Sequence, residues 1–296
     1  MSDDVLVLGE SLVDVVRATD GTTTEHVGGS AANVAVALAR LGRSVRFATS
    51  FADDARGRAV AAHLDAAGIR RANHPHSLRR TSTAVATLGA DGAATYEFDL
   101  EWVLEPPEVE PVPAAVHACS LGAVLPPGAD VVHDVVSRLR GRALVSYDVN
   151  ARPAATGLGP DVIDRVERMV AVSDVVKASD EDLAALRPDL PLADAAQGLL
   201  ERGPTAVVVT RGEQGALWFS RTSRVEVDAT PVRVADTIGA GDTFSAALID
   251  GLLARGGDLA ALDDTSVRRV LARAVRAAAV TVSRPGADPP YLSELD

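Results

Sequence analysis

The chain of 296 residues has one cysteine, Cys119, so it excludes an internal disulfide framework and suits a reducing compartment. No run of about 18 apolar residues occurs, and a membrane-spanning helix is therefore not expected. The opening stretch MSDDVLVLGE is acidic before a short apolar run, the wrong sign and too short for a secretory signal, so a cytoplasmic protein is expected. Basic residues never cluster, and the net charge is −12, which argues against a nucleic-acid partner. Lysine is almost missing: of 29 basic residues only Lys177 is a lysine, the other 28 being arginine. A neutral or weakly charged substrate fits this balance, and any phosphate must be held by local geometry.

What is present is an alternation of short apolar runs with Ala-rich helical stretches. VLVLG (5–9), ALVSYDV (143–149), DVVKAS (174–179) and AVVVT (206–210) lack polar alternation, as strands do when helices cover both faces. AANVAVALARLG (31–42), RGRAVAAHLDAAG (56–68), PDVIDRVERMVAVS (160–173) and PLADAAQGLLERG (191–203) have helical spacing, several closing on glycine. The order predicts an α/β protein with a mostly parallel sheet between helices. Residues 11–27 and 81–100 differ, being β-prone with DG turn signals. They read as hairpins pairing with each other as a flap, or alternatively as antiparallel additions to the main sheet's edge. EPPEVEPVP (105–113) reads as a Pro-rich surface return without a function.

Two glycine-rich stretches carry the chemistry. In DTIGAGDTF (236–244) a helix is expected to start near Gly241 or Asp242, with Phe244, Ala247, Leu248 and Leu252 at helical spacing behind it. Free N–H groups at such a start bind anions, and small residues let a phosphate approach. Asp242 then has two readings: a helix cap, or a carboxylate that accepts a proton from an attacking hydroxyl while the amides stabilise a moving phosphoryl group. RVEVDATPVRVAD (224–236) ahead of it alternates like exposed strands. Two rival phosphate motifs fail, since Lys177 is followed by Ala178 rather than Ser or Thr, and Gly239-Ala-Gly241 meets Phe244 where a third glycine belongs. In GGSAANVAVALARLG (28–42), Gly28 and Gly29 precede a helix whose first turn holds Asn33, a donor and acceptor suited to a sugar hydroxyl.

These stretches resemble the two signatures of the ribokinase/PfkB carbohydrate kinase family, and the likeness runs through nearly the whole chain in family order. GESLVDVV (9–16) resembles the opening strand, and FADDARGR (51–58) the GxDxxG-like segment with Ala52 for a glycine. SYDVNARP (146–153) is similar to the DxNxR segment, VKASDEDL (176–183) to KxSxxE, and VVVTRGEQGALWF (207–219) to the TxGxxG nucleotide loop.

The resemblance implies a ribokinase-like three-layer α/β/α domain (residues 1–10, 28–80 and 104–296) with a small β lid (11–27 and 81–103). It implies Asp242 as catalytic base, and Gly239, Ala240 and Gly241 as an anion hole. Asp14, Gly28, Gly29 and Asn33 would hold the sugar, and Arg152 sugar or phosphate. Thr210, Gly212 and Gly215 would line the nucleotide, with Lys177 near the triphosphate or merely on a strand. Ser179 and Asp182 stand where many relatives have NxxE, so Asp182 would meet Mg²⁺ through water. Asp236 and the carbonyls of Ile238 and Gly286 are candidates for K⁺.

The implied activity is transfer of the γ-phosphoryl of Mg-ATP to a primary alcohol of a small sugar. Fructose comes first, because CSLGAVLPP (119–127), KASDEDL and SRPGADPPY (283–291) resemble bacterial fructokinases most. The alternatives are 2-keto-3-deoxygluconate or ribose, a nucleoside, or a sugar-binding regulator without turnover. An exposed β flap further suggests a homodimer through the lid.

Overall fold

The computed structural model describes residues 3–88 and 94–295. Its strands are β1 (Val5–Leu8), β2 (Leu12–Arg17), β3 (Thr23–Gly28), β4 (Val45–Ala48), β5 (Arg70–Arg71), β6 (Thr83–Leu88), β7 (Ala94–Asp99), β8 (Ala115–Cys119), β9 (Leu144–Asp148), β10 (Val175–Ser179), β11 (Ala206–Thr210), β12 (Ala216–Ser220) and β13 (Arg224–Val227). The helices are α1 (Ser30–Arg40), α2 (Ala55–Ala66), α3 (Ser120–Val124), α4 (Gly128–Leu139), α5 (Pro153–Thr156), α6 (Pro160–Val172), α7 (Asp180–Leu186), α8 (Leu192–Leu200), α9 (Ala240–Leu253) and α10 (Asp264–Val282).

A nine-stranded sheet runs β13-β12-β11-β10-β9-β8-β1-β4-β5, parallel from β11 to β5, with β12 and β13 added antiparallel. Side chains alternate across it, as the period of two requires. Val5 and Val7 of β1 pack into one core with α1, α2, α9 and α10, while Leu6 and Leu8 pack into the other with α4, α6, α7 and α8. The expected helix-sheet-helix layering follows from strands that are apolar on both faces. β1 sits between β8 and β4, where the strand order reverses, so the carboxyl ends of β1, β8, β9 and β10 open on one crevice.

A second sheet, ordered β3-β2-β6-β7, is separate from the first. The two β-prone segments thus pair with each other through the parallel β2–β6 ladder and do not extend the main sheet's edge. The Asp20-Gly21 turn closes the β2–β3 hairpin, with Asp20 accepting from the Thr22 amide at 2.9 Å. The second DG turn, Asp91-Gly92, lies outside the described residues. Val13 and Val15 sink into the main core, whereas Asp14 lies on the opposite face of this sheet. Asp54, the cap of α2, anchors the β6 arm: it accepts from Gly57 N at 2.7 Å and from Thr81 N and Oγ1 at 2.9 and 2.7 Å.

One expectation is shortened. The strand-like alternation at 224–236 ends as β13 at Val227. Beyond it Pro231 has no N–H for a ladder, and the chain instead follows the end of α10, Ala235 N donating to Val282 O at 2.7 Å. No helix among the described residues is long and apolar enough to cross a membrane.

Candidate active site

α9 begins one residue earlier than its apolar spacing suggests, because Gly239 takes a left-handed conformation (φ 75°) and turns the chain into the helix. Asp242 is therefore the third residue of the first turn and makes no cap bond on its own helix. Its carboxylate turns instead to α1, where Ser30 Oγ donates to Oδ1 at 2.7 Å and Asn33 Nδ2 to Oδ2 at 2.8 Å. Ser30 and Asn33 share one face of α1 at the i, i+3 spacing. Asp242 is 7% exposed, at the open end of a helix whose first amides lack intrahelical partners. The same turn thus carries a held acceptor beside backbone donors, of which Ala240 N makes a long bond of 3.3 Å to Thr237 O.

α1 starts from Gly29, whose φ of 101° brings the chain back over the β1–β2 connection. Glu10 fastens that connection. Its Oε1 accepts from Ser30 N at 3.1 Å and its Oε2 from Gly122 N at 2.7 Å. Burial pushes the Glu10 carboxyl up to about 7, although the backbone donors oppose the shift.

Asp14 of β2 faces the crevice from above. Gly28, two residues along β3 from His26, its partner in the ladder, lies against it: a Cβ on Gly28 would stand 2.1 Å from Asp14 Oδ2, so only glycine leaves the carboxylate room. Burial pushes Asp14 up to about 6 from 3.8, with His26 and Arg152 pulling it down and Asp242 pushing it up. Asp14 thus lies within electrostatic reach of Arg152 and Asp242, with Gly28 against Asp14 and Asn33 bonded to Asp242. Arg152 is exposed, donating to Ala151 O at 3.0 Å.

Behind the α9 amides lies the only lysine. Lys177 Nζ donates to Asp148 Oδ2 at 2.9 Å, and Ser245 Oγ donates to the same oxygen at 2.9 Å. A Cβ on Gly241 would stand 3.0 Å from Lys177 Nζ, so the ammonium lies directly beneath that glycine. Burial pushes Asp148 up to about 6 against the pull of Lys177. Burial would lower Lys177, but Asp148, Asp182 and Asp242 outweigh it and hold the ammonium charged.

Thr210 ends β11, and Gly212 and Gly215 form the turn to β12. A Cβ on Gly215 would meet Val227 O at 2.0 Å, so packing against β13 by itself requires glycine there. Asp182 is buried, its Oδ1 accepting from Ala151 N and its Oδ2 from Ser179 N, both at 2.8 Å, in a capping box that starts α7. Asp236 binds the Ile238 amide through Oδ1 at 3.0 Å and the Gly286 amide through Oδ2 at 2.9 Å, gathering the three candidate cation residues into one clamp.

Residues 2–294 match the pfkB family of carbohydrate kinases. This chain belongs to that family. Among curated relatives, the fructokinase of Rhizobium leguminosarum bv. trifolii is 31% identical over 281 residues, covering 89% of this chain and 85% of the relative. The crystal structure of a Xylella fastidiosa fructokinase with bound ATP superposes with a TM-score of 0.87 at 28% identity, covering 100% of this chain and 97% of that one. A Vibrio cholerae O395 fructokinase with fructose, ADP and calcium ion superposes at 0.84 with 26% identity, over 96% and 94% of the chains.

As a pfkB kinase the protein is a fructokinase-like sugar kinase, a phosphotransferase with an alcohol acceptor and ATP as its expected donor. Ser30 and Glu10, around Asp242, carry no signal of their own in the sequence, whereas Asp148 and Asn150 are the first two positions of the DxNxR likeness. Ser30, Glu10, Asp148 and Asn150 lie inside the motif segments, but their partners are 20 to 212 residues away. Ser245 reads as one more small residue of an apolar helix.

Proposed function

We propose that this kinase transfers the γ-phosphoryl group of Mg-ATP to a primary hydroxyl of fructose, with Asp242 as base. The observation that carries the reading is the double grip on Asp242 at the mouth of α9, opposite Asp14. In the reaction the sugar oxygen bonds to the γ-phosphorus as the bond to the bridging oxygen of ADP breaks, and the hydroxyl proton passes to Asp242. The amides at Gly239, Ala240 and Gly241 stabilise charge on the moving group. Asp14 and Asn33 receive the sugar hydroxyls in the space Gly28 and Gly29 leave clear, and Arg152 lies at its edge facing sugar or phosphate. The fructokinase relatives support fructose as acceptor, and ribose, 2-keto-3-deoxygluconate or a nucleoside would need the same base.

Lys177, Thr210, Gly212 and Gly215 are assigned to the nucleotide side. Just ahead of Asp236 in the chain, a groove of about 660 Å³ is lined by Val232, Arg233, Val234, Ala235 and Ser283. Val232 and Val234 are exposed apolar side chains there, at 40% and 60%, and would suit the face of a purine. Each Asp182 oxygen keeps one lone pair beyond its backbone bond, which suits contact with magnesium through water. The ion, bound mostly by phosphate and water, would neutralise phosphate charge. A monovalent cation would find the free lone pairs of Asp236 and the carbonyl of Ile238, while the Gly286 carbonyl already accepts from Asp288 N at 2.9 Å.

The assay is ADP release over fructose, ribose, 2-keto-3-deoxygluconate, tagatose phosphates and nucleosides. Fructose is expected to give the highest kcat/KM, and a flat response to every acceptor would end the reading. The same assay tests Asp14. A folded-state value of about 6 against 3.8 means that its stabilising contribution is complete below 3.8 and lost as pH rises through 6. Ionised above 6, the carboxylate accepts sugar hydroxyls, so the KM for the sugar is expected to rise as pH falls below about 6.

We also propose a homodimer through the small sheet. Tyr96 is 60% exposed and stacks on Phe98 at 6.3 Å, on the face that Ala84, Ala86, Val16 and Asp14 share. β7 is an unpaired edge. Light scattering is expected to give about twice the 30.6 kDa chain mass, and a single-chain mass at working concentration would exclude the pairing.

A further inference from the structure

The described residues include two non-glycine residues at positive φ, Ser120 (50°) and Asn150 (37°), and they are bonded to each other. Ser120 Oγ donates to Asn150 O at 3.1 Å. Such backbone strain is retained where surrounding structure fixes it, and here it aims one side chain. Asn150 Nδ2 donates to Ser30 Oγ at 2.8 Å, and Ser30 Oγ donates to Asp242 Oδ1 at 2.7 Å.

The chemistry of these groups sets the direction of every proton. An amide NH₂ can only donate, so Ser30 Oγ must accept from Asn150. The hydroxyl hydrogen is then left for the carboxylate, which as a base can only accept and is a far stronger acceptor than the neighbouring Cys119 thiol. The backbone from which this side chain springs is fixed, since Glu10 Oε1 accepts from the Ser30 N–H at 3.1 Å. Asn33 grips the other oxygen at 2.8 Å, which leaves the carboxylate no rotation about its terminal bond.

We infer that Ser30 and Asn150 are positioning residues for phosphoryl transfer, Asn150 orienting the Ser30 hydroxyl so that its hydrogen points permanently at the base. The inference rests on the reading of Asp242 as base and adds the device that aims it. The unshared lone pair of Oδ1 or Oδ2 then faces the incoming sugar hydroxyl, and no catalytic cycle is spent searching for that orientation. A charge-assisted bond from a neutral hydroxyl is among the stronger ones available.

The test compares Ser30→Ala, Ser30→Thr, Asn150→Asp and Asp242→Asn by steady-state kinetics with fructose, alongside thermal melting. Ser30→Ala is expected to lower kcat about 10- to 100-fold, the range for one hydrogen bond to a charged group, with KM for both substrates within about twofold. Ser30→Thr restores the hydroxyl and is expected to recover most of kcat. Asn150→Asp keeps the shape and tolerates the left-handed backbone, but its carboxylate competes for the Ser30 hydrogen, so kcat is expected to fall at least as far. Parent-like kcat in folded Ser30→Ala or Asn150→Asp overturns the inference. So does a loss of kcat in Ser30→Ala matched by an equal rise in sugar KM, which would make Ser30 a binding residue. An inactive Asp242→Asn beside a fully active Ser30→Ala sinks this inference alone, whereas an active Asp242→Asn sinks the base itself.

Discussion

Asp242→Asn is expected to lower kcat by about 10²–10⁴, the range for loss of a positioned base, while the KM values for sugar and ATP change far less. The substitution is nearly isosteric, so the fold should persist. What changes is hydrogen-bond polarity. Asp242 accepts from Ser30 Oγ on one oxygen and Asn33 Nδ2 on the other. An amide can satisfy one of these donors and must set its own N–H₂ against the second. It also cannot take the hydroxyl proton. The phosphoryl-transfer transition state is loose, so orientation of the hydroxyl contributes along with proton removal, and both are lost together. Melting curves with single-turnover rates check the expectation, and a folded variant with near-parental kcat would leave Asp242 without its assigned role.

Much of this arrangement is legible in the residues before any coordinates. Strands apolar on both faces, such as Val5–Leu8 and Ala206–Thr210, require helices on both sides, and the structure has them. The two DG-containing segments show their β character through β-propensity and turn signals, and the structure decides that they pair with each other and do not extend the main sheet. Glycine spacing marks the mouth of α9 to within two residues of its start at Ala240. The legible features are all local, set by patterns a few residues long. Ser30 meets Asp242 across 212 positions and Asn150 meets Ser30 across 120, and nothing in a short window encodes those distances. The end of β13 was hidden for another reason. Val232 and Val234 alternate like strand residues, but a single Pro231 and the docking of Ala235 on α10 decide the backbone there.

Lys177→Met is expected to destabilise the fold by about 3–5 kcal/mol, the cost of leaving one partner of a buried ion pair alone. Lys177 is 4% exposed and Asp148 is 0%, so no solvent reaches the carboxylate when the ammonium is removed. Ser245 Oγ would remain on Asp148 Oδ2, but Asp148 Oδ1 has no hydrogen-bond partner among the described residues. The carboxylate would be driven to bind a proton, beyond the rise to about 6 that burial already imposes. Stability alone does not distinguish a core pair from a functional one, and the double variant Lys177→Met/Asp148→Asn does. It removes both charges, so most of the lost stability is expected to return. The ammonium beneath Gly241 does not return, and charge gathering on the phosphoryl oxygens above that glycine loses its nearest fixed cation. The double variant is therefore expected to melt near the parent and still turn over at least tenfold more slowly. Parental kcat in that variant would assign Lys177 to the core and leave the phosphoryl charge to the backbone amides of α9 and the magnesium ion.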